Sequence, residues 1–211
     1  MHRLAVFDLD GTLLDTAPDI LSAANRLLAR HGLAPLTLAE ITPMIGDGAK
    51  VLCERAFAAR GAPVPEGAVQ AYTDDPALEA GPETRLFPGI EALLQGLVAD
   101  GWRLAVCTNK PVVPARAVLA QFGIAALFRA VGGGDSFPTR KPDPAHLLAT
   151  MGEAGGGRAV MIGDHVNDML AARGAGIPAI FAGWGYGAAW MAADNPVAAD
   201  VEAARALLYS T

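Results

Sequence analysis

Charge and cysteine are both scarce in this chain of 211 residues, and each shortage excludes something. Only 18% of the residues are charged, against 52% hydrophobic, so the chain carries too much apolar surface to remain an extended polar tail. Its mean hydropathy is +0.31, and its length suits one generous domain or a domain with a smaller insert. Basic residues are the scarcer sign, with 16 Lys and Arg against 22 Asp and Glu and a net charge of −6. A surface that collects the phosphates of DNA, RNA or anionic lipid has the opposite balance, so neither nucleic acid nor membrane is expected as a partner. A small anion can still be held by local positive groups in a cleft. The two cysteines, Cys53 and Cys107, have neither the spacing of a zinc site nor the density of a disulfide framework, and read as reduced structural thiols. His2, His31, His146 and His165 form no H-x-x-x-H pair. No basic segment with a long apolar run opens the sequence, since Asp8 and Asp10 interrupt the first apolar stretch, and a cytoplasmic location is the default expectation.

One stretch lacks charge altogether. Residues 174–193, GAGIPAIFAGWGYGAAWMAA, are long enough to cross a bilayer. Pro178 and the repeated glycines instead predict a short strand followed by a glycine-aromatic loop.

The apolar runs Leu4–Phe7, Leu104–Cys107 and Ala159–Ile162 read as strands of a parallel sheet covered on both faces. Each delivers polar residues at its carboxyl end: Asp8-Leu9-Asp10-Gly11-Thr12, Thr108-Asn109-Lys110 and Gly163-Asp164. Helical patterns over 89–100, 112–122 and 144–151 alternate with them, which predicts an α/β fold with a doubly wound, mostly parallel, Rossmann-like sheet. Right-handed crossovers gather the strand ends into one crevice, where chemistry is expected. Residues 16–87 break the alternation. Helical patterns at 18–30, 49–60 and 66–72, without a convincing strand, predict an inserted α-helical domain over a core made of residues 1–15 and 88–211. Gly81-Pro82 and Phe87-Pro88-Gly89 punctuate its return. Gly132-Gly133-Gly134 reads as a flexible strand exit.

In Asp8-Leu9-Asp10, strand alternation predicts two carboxylates on one side, a costly arrangement unless a cation or a shared proton offsets the repulsion. Asp164 and Asp168 add oxygen ligands from another strand end, and hard oxygen ligands suit Mg²⁺. The Thr108 hydroxyl and the Asn109 amide are donors that do not repel a phosphate. Lys141 adds positive charge at a turn made rigid by Pro142 and Pro144.

These four segments, DLDGTLLDT (8–16), TNK (108–110), KPDP (141–144) and GDHVND (163–168), occur in an order that resembles the haloacid dehalogenase superfamily of phosphohydrolases, over nearly the whole chain. The resemblance implies that Asp8 attacks phosphorus to form an aspartyl phosphate, and that Asp10 acts as general acid and then general base. It implies Mg²⁺ held by Asp8, the Asp10 carbonyl, Asp164 and Asp168, the last directly or through water, with Lys141 and Thr108 stabilising phosphoryl charge. Asp10 is the residue that members cleaving carbon–halogen bonds lack, so phosphomonoester hydrolysis is the implied reaction, with the insert as a helical cap. The segments 12–19, 45–50, 108–111 and 183–187 are most similar to those of members acting on 2-phosphoglycolate. A sugar-phosphate or nucleotide monophosphatase, or a receiver-like phosphoaspartate signalling or binding module, remains the alternative. A monomer or small homo-oligomer taking a small phosphorylated metabolite is expected.

Lys50 follows a glycine-rich cap turn and is a candidate for recognising the substrate anion, weighed equally against a solvated helix lysine. Lys110 is open between binding and solubility. His165 reads as a loop histidine, Cys107 as a buried strand thiol, and the Trp184–Tyr186 loop as packing at the sheet edge.

Overall fold

The computed structural model describes residues 2–210. The chain begins with strand β1 (Arg3–Phe7) and a two-residue strand β2 (Leu14–Asp15), then enters a helical segment of α1 (Ala17–Arg30), α2 (Leu38–Ile41), α3 (Ala49–Ala58), α4 (Ala68–Thr73) and α5 (Ala77–Ala80). It returns through β3 (Arg85–Leu86) and continues with α6 (Ile90–Ala99), β4 (Arg103–Cys107), α7 (Val112–Gln121), β5 (Ala130–Gly132), α8 (Pro144–Glu153), β6 (Arg158–Gly163), α9 (Val166–Ala175), β7 (Ala179–Ala182), β8 (Val197–Ala198) and α10 (Val201–Ser210).

Six strands form one parallel sheet in the order β5-β4-β1-β6-β7-β8. Strand β1 lies in the middle, with Phe7 opposite Val106 on one side and Ile162 on the other. Period-two alternation splits its apolar run between two cores. Ala5 and Phe7 join α6, α7 and α10 on one face, while Leu4 and Val6 join α8 and α9 on the other. Burial on both faces is why these strands read as continuous apolar runs rather than alternating ones. From β1 the chain builds β4 and β5 on one side, then crosses back to lay β6, β7 and β8 on the other side, so the carboxyl end of β1 lies at the switch point where a crevice opens.

The helices between β2 and β3 pack around a core of their own, including Ile20, Leu27, Leu28, Ile41, Leu52 and Phe57. The sequence predicts no strand at the edges of this insert, yet β2 and β3 pair antiparallel, Leu14 with Leu86 and Asp15 with Arg85. Two-residue strands are too short to show an alternation pattern, which is why they escape a reading by periodicity. The buried Asp19 carboxylate fastens this ribbon by accepting from the Thr84 hydroxyl at 2.7 Å and the Thr84 N–H at 2.6 Å.

Among the described residues no helix is long and apolar enough to cross a membrane. The uncharged stretch 174–193 holds the end of α9, strand β7 and a glycine-aromatic loop. The triple glycine is not a loose exit. It is the end of β5 pressed onto the Thr108–Lys110 backbone, where Gly132 O accepts from Thr108 N at 2.9 Å and Gly134 N donates to Lys110 O at 2.8 Å.

Candidate active site

Strand β1 stops at Phe7, so strand alternation does not set the directions of Asp8 and Asp10; the turn after them does. Leu9 O accepts from the N–H groups of Leu13 and Leu14 at 3.0 and 3.1 Å, and Gly11 N donates to Leu14 O at 2.8 Å. Gly11 sits at φ +81° with the Asp164 carboxylate against its Cα, where a Cβ would lie 2.3 Å from Oδ2. Only glycine meets both conditions. The two aspartates therefore reach different partners while lining the same crevice.

Asp8 is buried at the sheet's centre, and its Oδ1 accepts from Leu9 N at 2.7 Å and lies 3.0 Å from Lys141 Nζ. Carboxylate oxygens of Asp8, Asp164 and Asp168 all lie within 4.8 Å of one another. Asp164 accepts from the Thr12 hydroxyl and from Tyr186 N, each at 2.8 Å. Asp168 accepts from His165 N at 3.0 Å and from Lys141 Nζ at 2.5 Å. Burial, then the charge on Asp8, pushes the Asp164 carboxyl up to about 7. Burial also raises Asp168, against the pull of Lys141. Burial works against the Lys141 ammonium, but Asp168 and Asp8 outweigh it and hold the pKa above the ordinary lysine value. A fully enclosed lysine thus stays charged between two carboxylates.

Asp10 Oδ1 turns the other way, accepting from the Thr16 hydroxyl at 2.8 Å and lying 3.4 Å from Lys110 Nζ. Thr108 is buried at the end of β4 and lines the crevice beside Asp8. The sequence candidates Asn109 and Lys50 are placed differently from Thr108. Both hydrogens of the Asn109 side-chain amide are committed, to Gly46 O and Lys141 O at 2.9 Å each, so that amide ties the insert to the core and is not free for an anion. Lys50 stands on the outer side of α3 with its side chain 68% exposed, 3.9 Å from Glu54 and away from the crevice. The turn before it brings Gly46, Gly48 and Ala49 to the cavity, and one helical step carries Lys50 outward. Lys110, left open by the sequence, points inward.

A haloacid dehalogenase-like hydrolase family profile matches residues 5–182. The chain belongs to this family. The phosphoglycolate phosphatase of Agrobacterium fabrum is 43% identical over 192 residues, covering 88% of this chain and 82% of its own. A solved structure described as a predicted phosphoglycolate phosphatase from Haemophilus somnus superposes with a TM-score of 0.85 at 28% identity, covering 100% of this chain and 98% of that one. The structure of CbbY from Rhodobacter sphaeroides in complex with phosphate gives 0.80 at 27% identity, covering 95% of each chain, and a mutant of it holds xylulose-1,5-bisphosphate. This haloacid dehalogenase-like protein is an enzyme, a hydrolase of the phosphatase kind.

Around the acidic cluster lie residues that hold it in place. His165 caps α9, its Nδ1 accepting from Asn167 N at 3.3 Å, and its ring lies against Gly46, where φ is +118° and a Cβ would approach the ring to 2.6 Å. Asn167 Nδ2 donates to Asp47 Oδ1 at 2.7 Å, a second link between core and insert. His146, buried behind Lys141, accepts the Lys141 N–H at Nδ1, and burial lowers its pKa to about 4. Cys53 and Cys107 are buried free thiols, each pushed up to about 12 by burial, so neither offers a thiolate.

Tyr186 does more than pack. Its hydroxyl accepts from Thr16 N at 2.7 Å and Ala17 N at 2.9 Å and donates to Asp15 at 2.8 Å, at the point where the chain leaves the core for the insert. Only the tertiary fold brings position 186 to position 16. Tyr186→Phe removes the partner of two N–H donors and is expected to lower stability by about 1–2 kcal/mol. The check is the urea midpoint at constant m-value; an unchanged midpoint would mean that water replaces the hydroxyl.

Proposed function

We propose that this enzyme is a Mg²⁺-dependent phosphomonoesterase in which residues 16–87 form a cap over the core (1–15 and 88–211), and that its substrate is a small anionic ester, 2-phosphoglycolate first. The observation that carries this reading is the division of labour between Asp8 and Asp10. Asp8 Oδ1 is fixed by Leu9 N and Lys141, which leaves Oδ2 to attack phosphorus in line. An O–P bond forms to Asp8 as the ester O–P bond breaks, and Asp10 gives its proton to the departing oxygen. Asp10 then takes a proton from water, which attacks the phosphorus and releases Asp8 and inorganic phosphate. Thr108 and Lys141 stabilise the charge that develops on the phosphoryl oxygens. Similarity to phosphoglycolate phosphatases at 38–47% identity supports the choice of ester.

The donor set fits Mg²⁺. Three buried carboxylates lie within 4.8 Å of one another, two of them paired with the Lys141 ammonium, and burial with the nearby Asp8 charge raises Asp164. Asp8, Asp164 and Asp168, with the Asp10 carbonyl, would hold the ion, which supplies charge neutralisation for the incoming phosphate dianion.

A screen of small phosphate esters including 2-phosphoglycolate tests the reading, with and without Mg²⁺. Metal-stripped enzyme is expected to lose at least about 100-fold in rate and to recover on Mg²⁺ addition; full turnover in excess chelator sinks the metal assignment. Raised carboxyl pKa values mean that the metal-free fold holds protons which the unfolded chain releases above about pH 4. Its stability therefore falls as pH rises toward about 7, and Mg²⁺ should raise Tm more at pH 8 than at pH 5. A sugar bisphosphate is the second reading, prompted by the ligand of the CbbY mutant. Ile20, Leu52 and Leu78 make the cap side of the crevice largely apolar, with polar side chains only at Tyr72 and Thr73 among the described lining residues, which favours the smaller ester.

A further inference from the structure

We infer that Lys110 recognises the second negative charge of the substrate, a carboxylate borne on the carbon next to the ester oxygen. The inference rests on the proposed function and deepens it, because it names the group that distinguishes a phosphorylated α-hydroxy acid from other small phosphate esters.

Lys110 and Asp10 face each other across one crevice. The Lys110 side chain is 7% exposed, lines the cavity beside Asp8, Asp10 and Thr108, and has Asp10 Oδ1 at 3.4 Å as its ion-pair partner. That separation exceeds the usual 2.7–2.9 Å or so of a charge-assisted N–H···O bond. An ammonium has three donors, and Asp10 Oδ1 engages one of them, so an entering anion finds a positive charge with donors to offer.

Among the described residues no other lysine or arginine lines this cavity; Arg140 is exposed and lies near its edge, against Gly48. Lys141 is enclosed between Asp8 and Asp168, and Lys50 lies outside with its side chain 68% exposed. The cap side is apolar apart from Tyr72 and Thr73. A second anionic group entering this space beside Asp8 and Asp10 therefore meets compensation at Lys110.

Position sets the distance. Thr108 and Lys110 are two residues apart at the end of β4, with the Thr108 hydroxyl accepting from Lys110 N at 3.2 Å and Lys110 O accepting from Gly134 N at 2.8 Å. The backbone that carries the ammonium is thus anchored on both sides. Asp10 meets the leaving oxygen in the proposed reaction, and Lys110 sits against that same carboxylate. An anion that reaches Lys110 while its ester oxygen is at Asp10 must be joined to that oxygen by a short link. A carboxylate one carbon away satisfies this.

The test compares 2-phosphoglycolate with ethyl phosphate, in which a methyl replaces the carboxylate, for the wild type, Lys110→Met and Lys110→Gln. The quantity read is the ratio of kcat/KM on the two esters within each protein, so that loss of folded enzyme or a disturbed Asp10 cancels. The wild-type ratio is expected to be high and to fall about 10- to 100-fold in both variants, the worth of one charge-assisted contact. Lys110→Arg should retain part of it. A high wild-type ratio that survives in both variants overturns the assignment of Lys110 and leaves the choice of ester standing. A wild-type ratio near one overturns the choice of ester, and Lys110 with it.

Discussion

Asp8→Asn is expected to lower kcat by at least about 10⁴-fold on every phosphomonoester tested, because an amide oxygen cannot form the acyl phosphate. The substitution is nearly isosteric and keeps an oxygen for Leu9 N, so the fold should persist. It also removes one of three crowded carboxylates, and the metal-free variant should be no less stable than the wild type. Single-turnover quench with radiolabelled substrate separates mechanism from geometry: wild-type protein should carry acid-stable, hydroxylamine-labile label, and the variant none. Multiple turnover by Asp8→Asn above about one per cent of the wild-type rate would exclude the phosphoaspartate route.

Lys141→Met has the second largest effect and acts on stability as well as rate. Lys141 is fully enclosed, with Asp8 Oδ1 at 3.0 Å and Asp168 Oδ1 at 2.5 Å. Methionine fills much of the same volume but leaves both carboxylates uncompensated, and removing one partner of a buried pair costs about 3–5 kcal/mol. We expect the metal-free variant to lose about that much in urea denaturation, and kcat to fall about 10³-fold, as for other single charge-stabilising donors. Mg²⁺ should restore part of the stability, since it neutralises the same carboxylates, without restoring the rate. If full activity returned with Mg²⁺, Lys141 would be only a spacer between acids.

The core of the fold was legible because its strands are buried on both faces. Leu4–Phe7, Leu104–Cys107 and Ala159–Ile162 are apolar without interruption, a pattern that a doubly covered parallel sheet imposes, and each reaches a polar residue within two positions of its end. The two-residue strands β2 and β3 were not legible, because their pairing is an encounter between positions 14–15 and 85–86 and leaves no periodicity. Asp19 shows the same limit. In sequence it is an ordinary acid in the first turn of a helix, and only Thr84, brought back by the returning chain, makes it the anchor of the ribbon.

Which residues meet in the crevice was legible in part. Asp8, Asp164, Asp168 and Lys141 end up together because each stands at or just beyond the carboxyl end of a neighbouring strand, or on the turn and helix that follow, and parallel topology collects those ends. Asn109 stands beside Thr108 yet spends its amide on Gly46 O and Lys141 O, a commitment that spacing along the chain cannot reveal. Tyr186 was read as packing because an aromatic in a glycine loop has no periodic signature, and the three hydrogen bonds of its hydroxyl all go to residues 15–17.

The sequence by itself determined the sheet, the helical insert and the four acidic and basic positions at strand ends, because local apolar patterning and parallel connectivity leave little freedom in where those residues arrive. Only the tertiary structure decided which lysine faces the crevice. Lys50 follows the turn that touches the cavity but projects from the outer side of α3, whereas Lys110 is folded inward onto Asp10. A side chain's direction is set by the surface its element packs against, and that surface comes from residues a hundred positions away.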